Sequence, residues 1–267
     1  MTKMNDEKIL AELNALVSVS ANERYILSKL KHLKYKEIGT ENIHNLINCF
    51  KNKDIKNNKS WRMKTSEVSH EWFTNHYENF MDFFNRSLIP SKFDEIKQAA
   101  KKSQIIIPNE CNIESIGTVK DTSSIIRLKK DAKTVAEDLK NLGVDENYTF
   151  VNMKLLVSYY HNIHSPISGK LKRAIPVDRK LGLFGKNTLW FLEFETDKKP
   201  VYLLLVGESA IQDFNFLVKK GDQIEIADKL GYFVWGSQTI LLFDKDSYDG
   251  EILIEKRNHY FLGQKIM

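Results

Sequence analysis

Cysteine is scarce in this chain of 267 residues, which contains only Cys49 and Cys111. Two cysteines cannot build a disulfide framework, and their spacing is not that of a metal site, so we expect a reducing compartment. No apolar signal core follows the N-terminus, and no run approaches the roughly 20 apolar residues that span a bilayer. These absences predict a cytoplasmic protein that at most touches a membrane surface.

Several catalytic signatures are missing as well. The chain has no Gly-rich phosphate loop, no dinucleotide-binding fingerprint and no Cys–His nucleophile pattern. Most of its seven histidines show no mutual spacing that suggests a metal, and we expect no metal site. Five of them are expected to be ordinary surface or interface residues: His32, His44, His70, His76 and His259.

The chain does contain enough apolar material for a sizeable core. Hydrophobic residues make up 42% of it and aromatic residues 11%, which excludes wholesale disorder. The net charge of +5 arises from 40 basic and 35 acidic residues, so the surface is mixed. This balance predicts no nucleic-acid partner and allows a weak preference for anionic partners such as acidic lipid headgroups.

The apolar pattern changes character along the chain. Apolar residues at helical spacing fill the first third, and a second helical block over 68–88 is expected to end at Pro90. The aromatic residues between Trp72 and Phe84 fit either a core helix or a membrane-surface element. From residue 105 onward, short β-rich runs dominate, with one helical insertion at 132–142 that ends at Gly143. The β-rich runs cover 105–107, 124–128, 148–157, 189–194, 201–206, 232–234, 239–243 and 252–254.

These patterns predict an α+β protein with two parts. We expect residues 1–75 to form a helical N-terminal region and residues 76–267 to form a mainly β domain with barrel-sandwich-like elements. Capping of the β domain, homodimerisation and binding of another partner are all compatible with the N-terminal region.

Three places in the β-rich part offer reactive groups. His161 and His164 lie three residues apart between a strand and a turn, where imidazoles serve as general acid, general base or ligands. Glu110 lies in an expected turn, either as a carboxylate that orients a histidine or as a solvated loop acid. Gly236 and Ser237 lie between two apolar runs, without the second glycine of a hydrolase nucleophile elbow. Ser237 is therefore either a turn residue or a hydroxyl that attacks its own peptide bond.

Four segments, in order, resemble the phosphatidylserine decarboxylase family. That family's FNEFFxRxLKP segment corresponds to NFMDFFNRSLIP at residues 79–90, and its PADG corresponds to PNEC at 108–111. Its YHRVHxPxxG corresponds to YHNIHSPISG at 160–169, and its GxFxxGSTVxxLF to GYFVWGSQTILLF at 231–243. Together the four motifs are a strong signal that covers more than half of the chain but not the first 75 residues.

The resemblance implies a proenzyme that cleaves itself between Gly236 and Ser237 and converts Ser237 into a pyruvoyl group. It implies that His164 activates the serine with Glu110 as its acid partner, and that His161 takes part in substrate handling and decarboxylation. The pyruvoyl group serves as the electron sink, so neither pyridoxal phosphate nor a metal is needed. The expected reaction is decarboxylation of phosphatidylserine to phosphatidylethanolamine in phospholipid biosynthesis, with peripheral membrane contact.

Two departures from the family pattern leave alternatives open. Glu110 stands where the family has Asp, and Gln238 replaces the Thr or Ser that usually follows the nucleophile. An added methylene displaces a carboxylate on the scale to which catalytic geometry is sensitive. A soluble decarboxylase of a free amino acid and an uncleaved, non-catalytic family member are therefore the rival interpretations.

Overall fold

The structure is a computed structural model that describes most of the chain beyond residue 72. The described residues are 72–74, 76–120, 139–156, 158–177, 189–207, 214–233 and 238–267, together with residues 11, 41, 43 and 44. The Gly236–Ser237 bond and the expected strand at 124–128 lie outside the described residues. So do most of the expected helix at 132–142 and nearly all of the region 1–75.

Two helices whose full extent lies within the described residues precede the sheets. Helix α1, Phe80–Phe84, begins at Asn79, whose side chain accepts hydrogen bonds from the amides of Met81 and Asp82. Asp82 accepts in return from the amide of Asn79, which completes a capping box. Helix α2, Pro90–Ala100, follows after a short extended stretch.

The prediction that Pro90 ends a helix over 68–88 is wrong. Pro90 occupies the first turn of α2, where the missing amide hydrogen is not needed and the fixed φ suits a helix. Upstream of it, Phe73 and Leu88 form an isolated antiparallel bridge, and within the described part of the block only Phe80–Phe84 is α-helical.

The described strands confirm a mainly β domain and an α+β fold. They are β1 Cys111–Thr118, β2 Thr149–Lys154, β3 Asn162–His164, β4 Gly169–Pro176, β5 Leu189–Glu195, β6 Val201–Val206, β7 Phe214–Phe216, β8 Gln223–Ile224, β9 Lys229–Phe233, β10 Gln238–Phe243 and β11 His259–Tyr260. Eight of them form one antiparallel sheet in the order β11-β1-β2-β10-β6-β5-β4-β8, and the other three form a sheet in the order β3-β9-β7. Among these strands, β11 and β8 are the edges of the large sheet, which is not closed into a barrel.

Two of the expected β-rich runs are not strands. Residues 105–107 are buried, but Ile106 forms only a single bridge with Lys265. The backbone of Ile105 and Ile107 instead binds the C-terminal tail, with Ile107 donating to the carbonyl of Gln264. Residues 252–254 are likewise outside any strand. In the second run Ile254 is buried and Leu253 is 56% exposed, and the amide of Leu253 donates to the carbonyl of Ile266 in the C-terminal tail.

The large sheet is covered on both faces. Val151 and Met153 of β2 belong to the main apolar cluster, whereas the intervening positions of the central strands belong to a second cluster on the opposite face, which includes Phe150 and Leu242. Burial on both faces explains why these strands read as continuous apolar runs. Ile43, from the N-terminal region, is fully buried in the main cluster.

The aromatic residues between 72 and 84 lie in the core. Five of them are buried: Phe73, Tyr77, Phe80, Phe83 and Phe84. The structure therefore supports the core interpretation of this stretch over the membrane-surface one. Over the described part of the chain, no helix has the length and apolar character required to cross a bilayer.

Candidate active site

The three predicted groups converge where the small sheet meets the first strand of the large one. His161 immediately precedes β3, and His164 ends it. Glu110 immediately precedes β1, and the amide of His164 donates to the carbonyl of Pro108 at 2.9 Å. Backbone pairing thus brings the 108–111 turn beside the two histidines, although they are distant in sequence.

His161 is buried and neutral. Its Nδ1 lies 2.7 Å from the carbonyl oxygen of Tyr159, so Nδ1 carries the proton and Nε2 keeps its lone pair. The ring stacks on Phe84, with 3.7 Å between the centroids. Burial lowers the pKa of His161 to about 3, with a smaller contribution from the charge of Arg86.

His164 is also buried, but both of its nitrogens have partners. Nδ1 donates to the carbonyl of Ala227 at 2.7 Å, and Nε2 accepts from the hydroxyl of Tyr160 at 3.0 Å. Phe93 of α2 lies over the ring at 5.6 Å between centroids. Burial lowers the pKa of His164 to about 4, so it is a neutral base near pH 7.

Glu110 is fully buried, so the solvated-acid interpretation is wrong. Its Oε2 accepts from the amide of Tyr160 at 2.8 Å, and its Oε1 lies 3.0 Å from Nε2 of His259. Among the described residues, the carboxylate makes no hydrogen bond to His161 or His164. It reaches the His164 ring only through Tyr160, whose amide it binds and whose hydroxyl contacts Nε2.

Arg86 supplies the positive charge beside this carboxylate. Its Nη2 lies 3.9 Å from Oε2 of Glu110, and its guanidinium donates to the carbonyls of Phe83, Ser158 and Tyr159 at 3.0–3.2 Å. The guanidinium also lies over the ring of Phe73 at 4.6 Å. Burial lowers the pKa of Arg86, and the charge of Glu110 opposes that shift.

The predicted cleavage bond lies outside the described residues, but its two flanks are at this site. Upstream, the amide of Phe233 donates to the carbonyl of His161 at 3.3 Å. Downstream, the hydroxyl of Thr239 donates to Oδ1 of Asn109 at 2.9 Å. The chain is therefore anchored beside His161 before residues 234–237 and beside the Glu110 turn after them.

Sequence reasoning missed three residues of this site. Tyr160 and Arg86 lie inside the motifs that carry the resemblance, but the sequence did not predict their contacts with His164 and Glu110. His259 was expected to be a surface or interface histidine, and this is wrong, because its side chain is 9% exposed and contacts Glu110. His44 and His76 are exposed as expected, whereas His32 and His70 lie outside the described residues.

No cluster of three or more His, Cys, Asp or Glu side chains able to hold a metal occurs within the described ranges. One polar atom at the site stands out instead. Oδ1 of Asn162, which lies between the two histidines, is buried without a hydrogen-bond partner among the described residues, while Nδ2 donates to the carbonyl of Arg86 at 2.8 Å. A buried acceptor without a partner is uncommon in folded proteins and is the kind of atom that a water or a polar ligand group satisfies.

Comparison with known proteins identifies one family. Residues 80–267 match the family model described as phosphatidylserine decarboxylase. A phosphatidylserine decarboxylase proenzyme of Geobacillus sp. (strain WCH70) is 31% identical over 167 residues, which cover 55% of this chain and 62% of the relative. The proenzyme of Anoxybacillus flavithermus (strain DSM 21510 / WK1) is 29% identical, over 61% of this chain and 66% of the relative. This chain thus spans just under two thirds of the length of these two relatives.

Proposed function

This chain belongs to the phosphatidylserine decarboxylase family, and we propose that it is a self-processing proenzyme that decarboxylates phosphatidylserine to phosphatidylethanolamine. The proposal includes cleavage between Gly236 and Ser237 and formation of a pyruvoyl group from Ser237. In this assignment the mature protein is a carboxy-lyase.

The observation that carries the proposal is the anchoring of both flanks of the cleavage bond. Phe233 is hydrogen bonded to His161, and Thr239 is hydrogen bonded to Asn109, the neighbour of Glu110. A self-cleaving serine needs a base and fixed backbone on both sides, because proximity and orientation supply much of the rate. The two flanks provide that restraint next to the predicted catalytic groups.

In the proposed maturation, His164 is the base. Its Nδ1 proton is committed to the carbonyl of Ala227, so Nε2 is the atom that accepts a proton from the Ser237 hydroxyl. That oxygen then adds to the Gly236 carbonyl and displaces the peptide nitrogen, which gives an ester. Loss of the α-proton of residue 237 expels the carboxylate of Gly236, and hydrolysis then releases ammonia and leaves the pyruvoyl ketone. Nε2 must exchange Tyr160 for Ser237 before the first step.

The residues present fit a pyruvoyl group. The two imidazoles are buried and neutral, and Oδ1 of Asn162, which has no hydrogen-bond partner among the described residues, offers an acceptor for a polar group. When formed, the pyruvoyl group supplies an electron sink for decarboxylation of a substrate amine. His161 keeps an unprotonated Nε2 in a buried setting, where it can take up and pass on a proton during the reaction.

The phospholipid substrate, peripheral membrane contact and cytoplasmic location remain proposals that rest on the family. Homodimerisation, and the division into a helical region over 1–75 and a catalytic domain over 76–267, are proposed on the same footing. The burial of Ile43 in the main core supports a role of the N-terminal region in covering the β domain. The Ile43 contact does not bear on dimerisation, which analytical ultracentrifugation would measure.

Intact-mass spectrometry of the purified protein tests self-processing directly. We expect two chains, 1–236 and 237–267, the smaller one beginning with a pyruvoyl group, and a single whole chain for Ser237→Ala. A wild-type chain that stays whole through long incubation contradicts the proposal.

Activity assays then separate the substrates. Processed protein is incubated with phosphatidylserine vesicles or with free amino acids, and released carbon dioxide is measured. We expect turnover of the lipid. We also expect the protein to bind anionic vesicles, and added salt to weaken that binding. Turnover of a free amino acid alone would establish the rival decarboxylase.

A further inference from the structure

His259 is the least expected member of the site. It lies on the edge strand β11, where it pairs with Asn112 of β1, two residues after Glu110. Its Nε2–H donates to Oε1 of Glu110 at 3.0 Å, and its ring meets the edge of Tyr159 at 5.0 Å between centroids. Tyr159 in turn donates from its hydroxyl to Oδ1 of Asn112 at 3.0 Å. His259 is thus enclosed by the two segments that carry Glu110 and the histidines.

The two carboxylate oxygens of Glu110 contact different partners. Oε1 faces His259, and Oε2 accepts the amide of Tyr160, the residue immediately before His161. A glutamate side chain has three rotatable bonds, so a second contact on the other oxygen restricts the carboxylate and helps to hold Oε2 on the amide. His259 supplies that second contact, and Arg86 at 3.9 Å adds charge without a closer bond.

From this geometry we propose that His259 is a positioning residue for self-processing: it fixes Glu110 so that the carboxylate anchors the Tyr160–His161 backbone. This inference rests on the proposed function, because its consequence is the rate of cleavage at Ser237. Glu110 then acts through backbone placement rather than through direct contact with His164. The longer side chain of Glu110, where the resemblance implies Asp, reaches both partners at once.

The position of His259 in the chain gives the contact a second consequence. Residues 237–267 become a separate chain after cleavage, and this chain carries both β10 and β11. The Glu110–His259 contact therefore joins the two products. The Glu110 carboxylate therefore makes the same contacts with Tyr160 and His259 before and after cleavage.

The test compares two substitutions at this residue. His259→Leu removes the donor but keeps an apolar side chain of similar bulk, whereas His259→Gln keeps an N–H donor at similar reach. His76→Leu, which removes an exposed histidine elsewhere, is the matched control.

Cleavage is followed by intact mass, and circular dichroism checks that each variant is folded. We expect His259→Leu to cleave about ten- to a hundredfold more slowly, as for a misplaced catalytic group. His259→Gln should keep most of the rate, and His76→Leu should match the wild type.

A second readout does not depend on cleavage. In the Ser237→Ala background, hydrogen exchange of the Tyr160 amide reports directly on its bond to Glu110. We expect protection in the parent and in His259→Gln, and faster exchange in His259→Leu. Equal exchange in all three overturns the inference, as does equal slowing of cleavage by Leu and Gln, which would mean packing alone. If the wild type never cleaves, the proposed function fails, and the exchange experiment still decides the role of His259.

Discussion

The two sides of this site are equally buried but treat charge in opposite ways. On the acid side, Glu110 and Arg86 face each other at 3.9 Å and are surrounded by hydrogen-bond partners. On the histidine side, burial lowers the pKa of His161 to about 3 and that of His164 to about 4. Each imidazole donates Nδ1–H to one backbone carbonyl.

The difference shows what each side can do. Removal from water disfavours a charge unless a partner of opposite sign or several hydrogen bonds compensate. The acid side has that compensation and so keeps its charges fixed, which suits positioning. The histidine side lacks it and keeps neutral rings whose Nε2 atoms can exchange protons, which suits catalysis. A change to one side should therefore alter a different observable from a change to the other.

The largest effect is expected from His164→Gln. This change removes the proposed base while Gln keeps a polar side chain, and loss of a general base typically costs about 10²–10⁴-fold in rate. Cleavage should slow by that factor, measured by intact mass over time. Tyr160→Phe is the companion variant, because it removes the hydroxyl from Nε2 but keeps the ring. Cleavage at or above the wild-type rate is expected there. If Tyr160→Phe cleaved as slowly as His164→Gln, the Tyr160 hydroxyl would take part in proton transfer. That result would contradict the assignment of this role to the histidines alone.

A change on the acid side should lower the free energy of unfolding. Arg86→Met leaves Glu110 buried without its cationic neighbour, and breaking a buried ion pair costs about 3–5 kcal/mol. Urea unfolding monitored by fluorescence measures this loss. Lys92→Met, which breaks the exposed contact of Lys92 with Glu95 at 2.7 Å, is the control and should cost at most about 1 kcal/mol. Equal losses in the two variants would show that burial of Arg86 has little energetic consequence.

The histidine side should give stability a pH dependence. The folded-state pKa values of His161 and His164 lie below the ordinary value of 6.5, so the unfolded chain binds more protons at mildly acidic pH. Their contribution is complete above about pH 6.5 and is lost as the pH falls toward 4 and then 3, by roughly 1.4 kcal/mol per pH unit for each histidine.

Unfolding free energies at pH 7.5, 6.5 and 5.5 measure this slope. His161→Gln removes one of the two titrating groups, and we expect the loss of stability between pH 6.5 and 5.5 to shrink by about 1 kcal/mol, because an unfolded histidine is half protonated at pH 6.5. The charges of Arg86 and Lys229 lower, and that of Asp228 raises, the pKa of the neighbouring histidine ring. An unchanged slope would mean that the histidine side is not neutral in solution.

The sequence was informative where local order carries the signal. Continuous apolar runs located β5, β6 and β10, and the motif order placed Glu110, His161 and His164 in one site. The contacts could not be read in the same way, because they depend on long-range pairing. His259 meets Glu110 across 149 residues through the β1–β11 register. The prediction of one helix over 68–88 was wrong for another reason. Phe80, Phe83 and Phe84 do lie in a helix, the short α1, but Phe73 lies in an isolated bridge with Leu88, and all of these residues are buried.

The smallest expected effect concerns helix α1, which serves both sides. It carries Phe84 to the ring of His161 and leads directly into Arg86. Asn79→Ala removes the cap, and loss of an N-cap costs about 1 kcal/mol, whereas Asn147→Ala in an exposed turn should change stability by less than about 0.5 kcal/mol. A loss no larger than that of the control would mean that apolar packing of the helix, not its cap, holds α1. In that case, weakening the cap would leave the acid and histidine sides unchanged, and they would have to be separated by changes at Arg86 and His161 themselves.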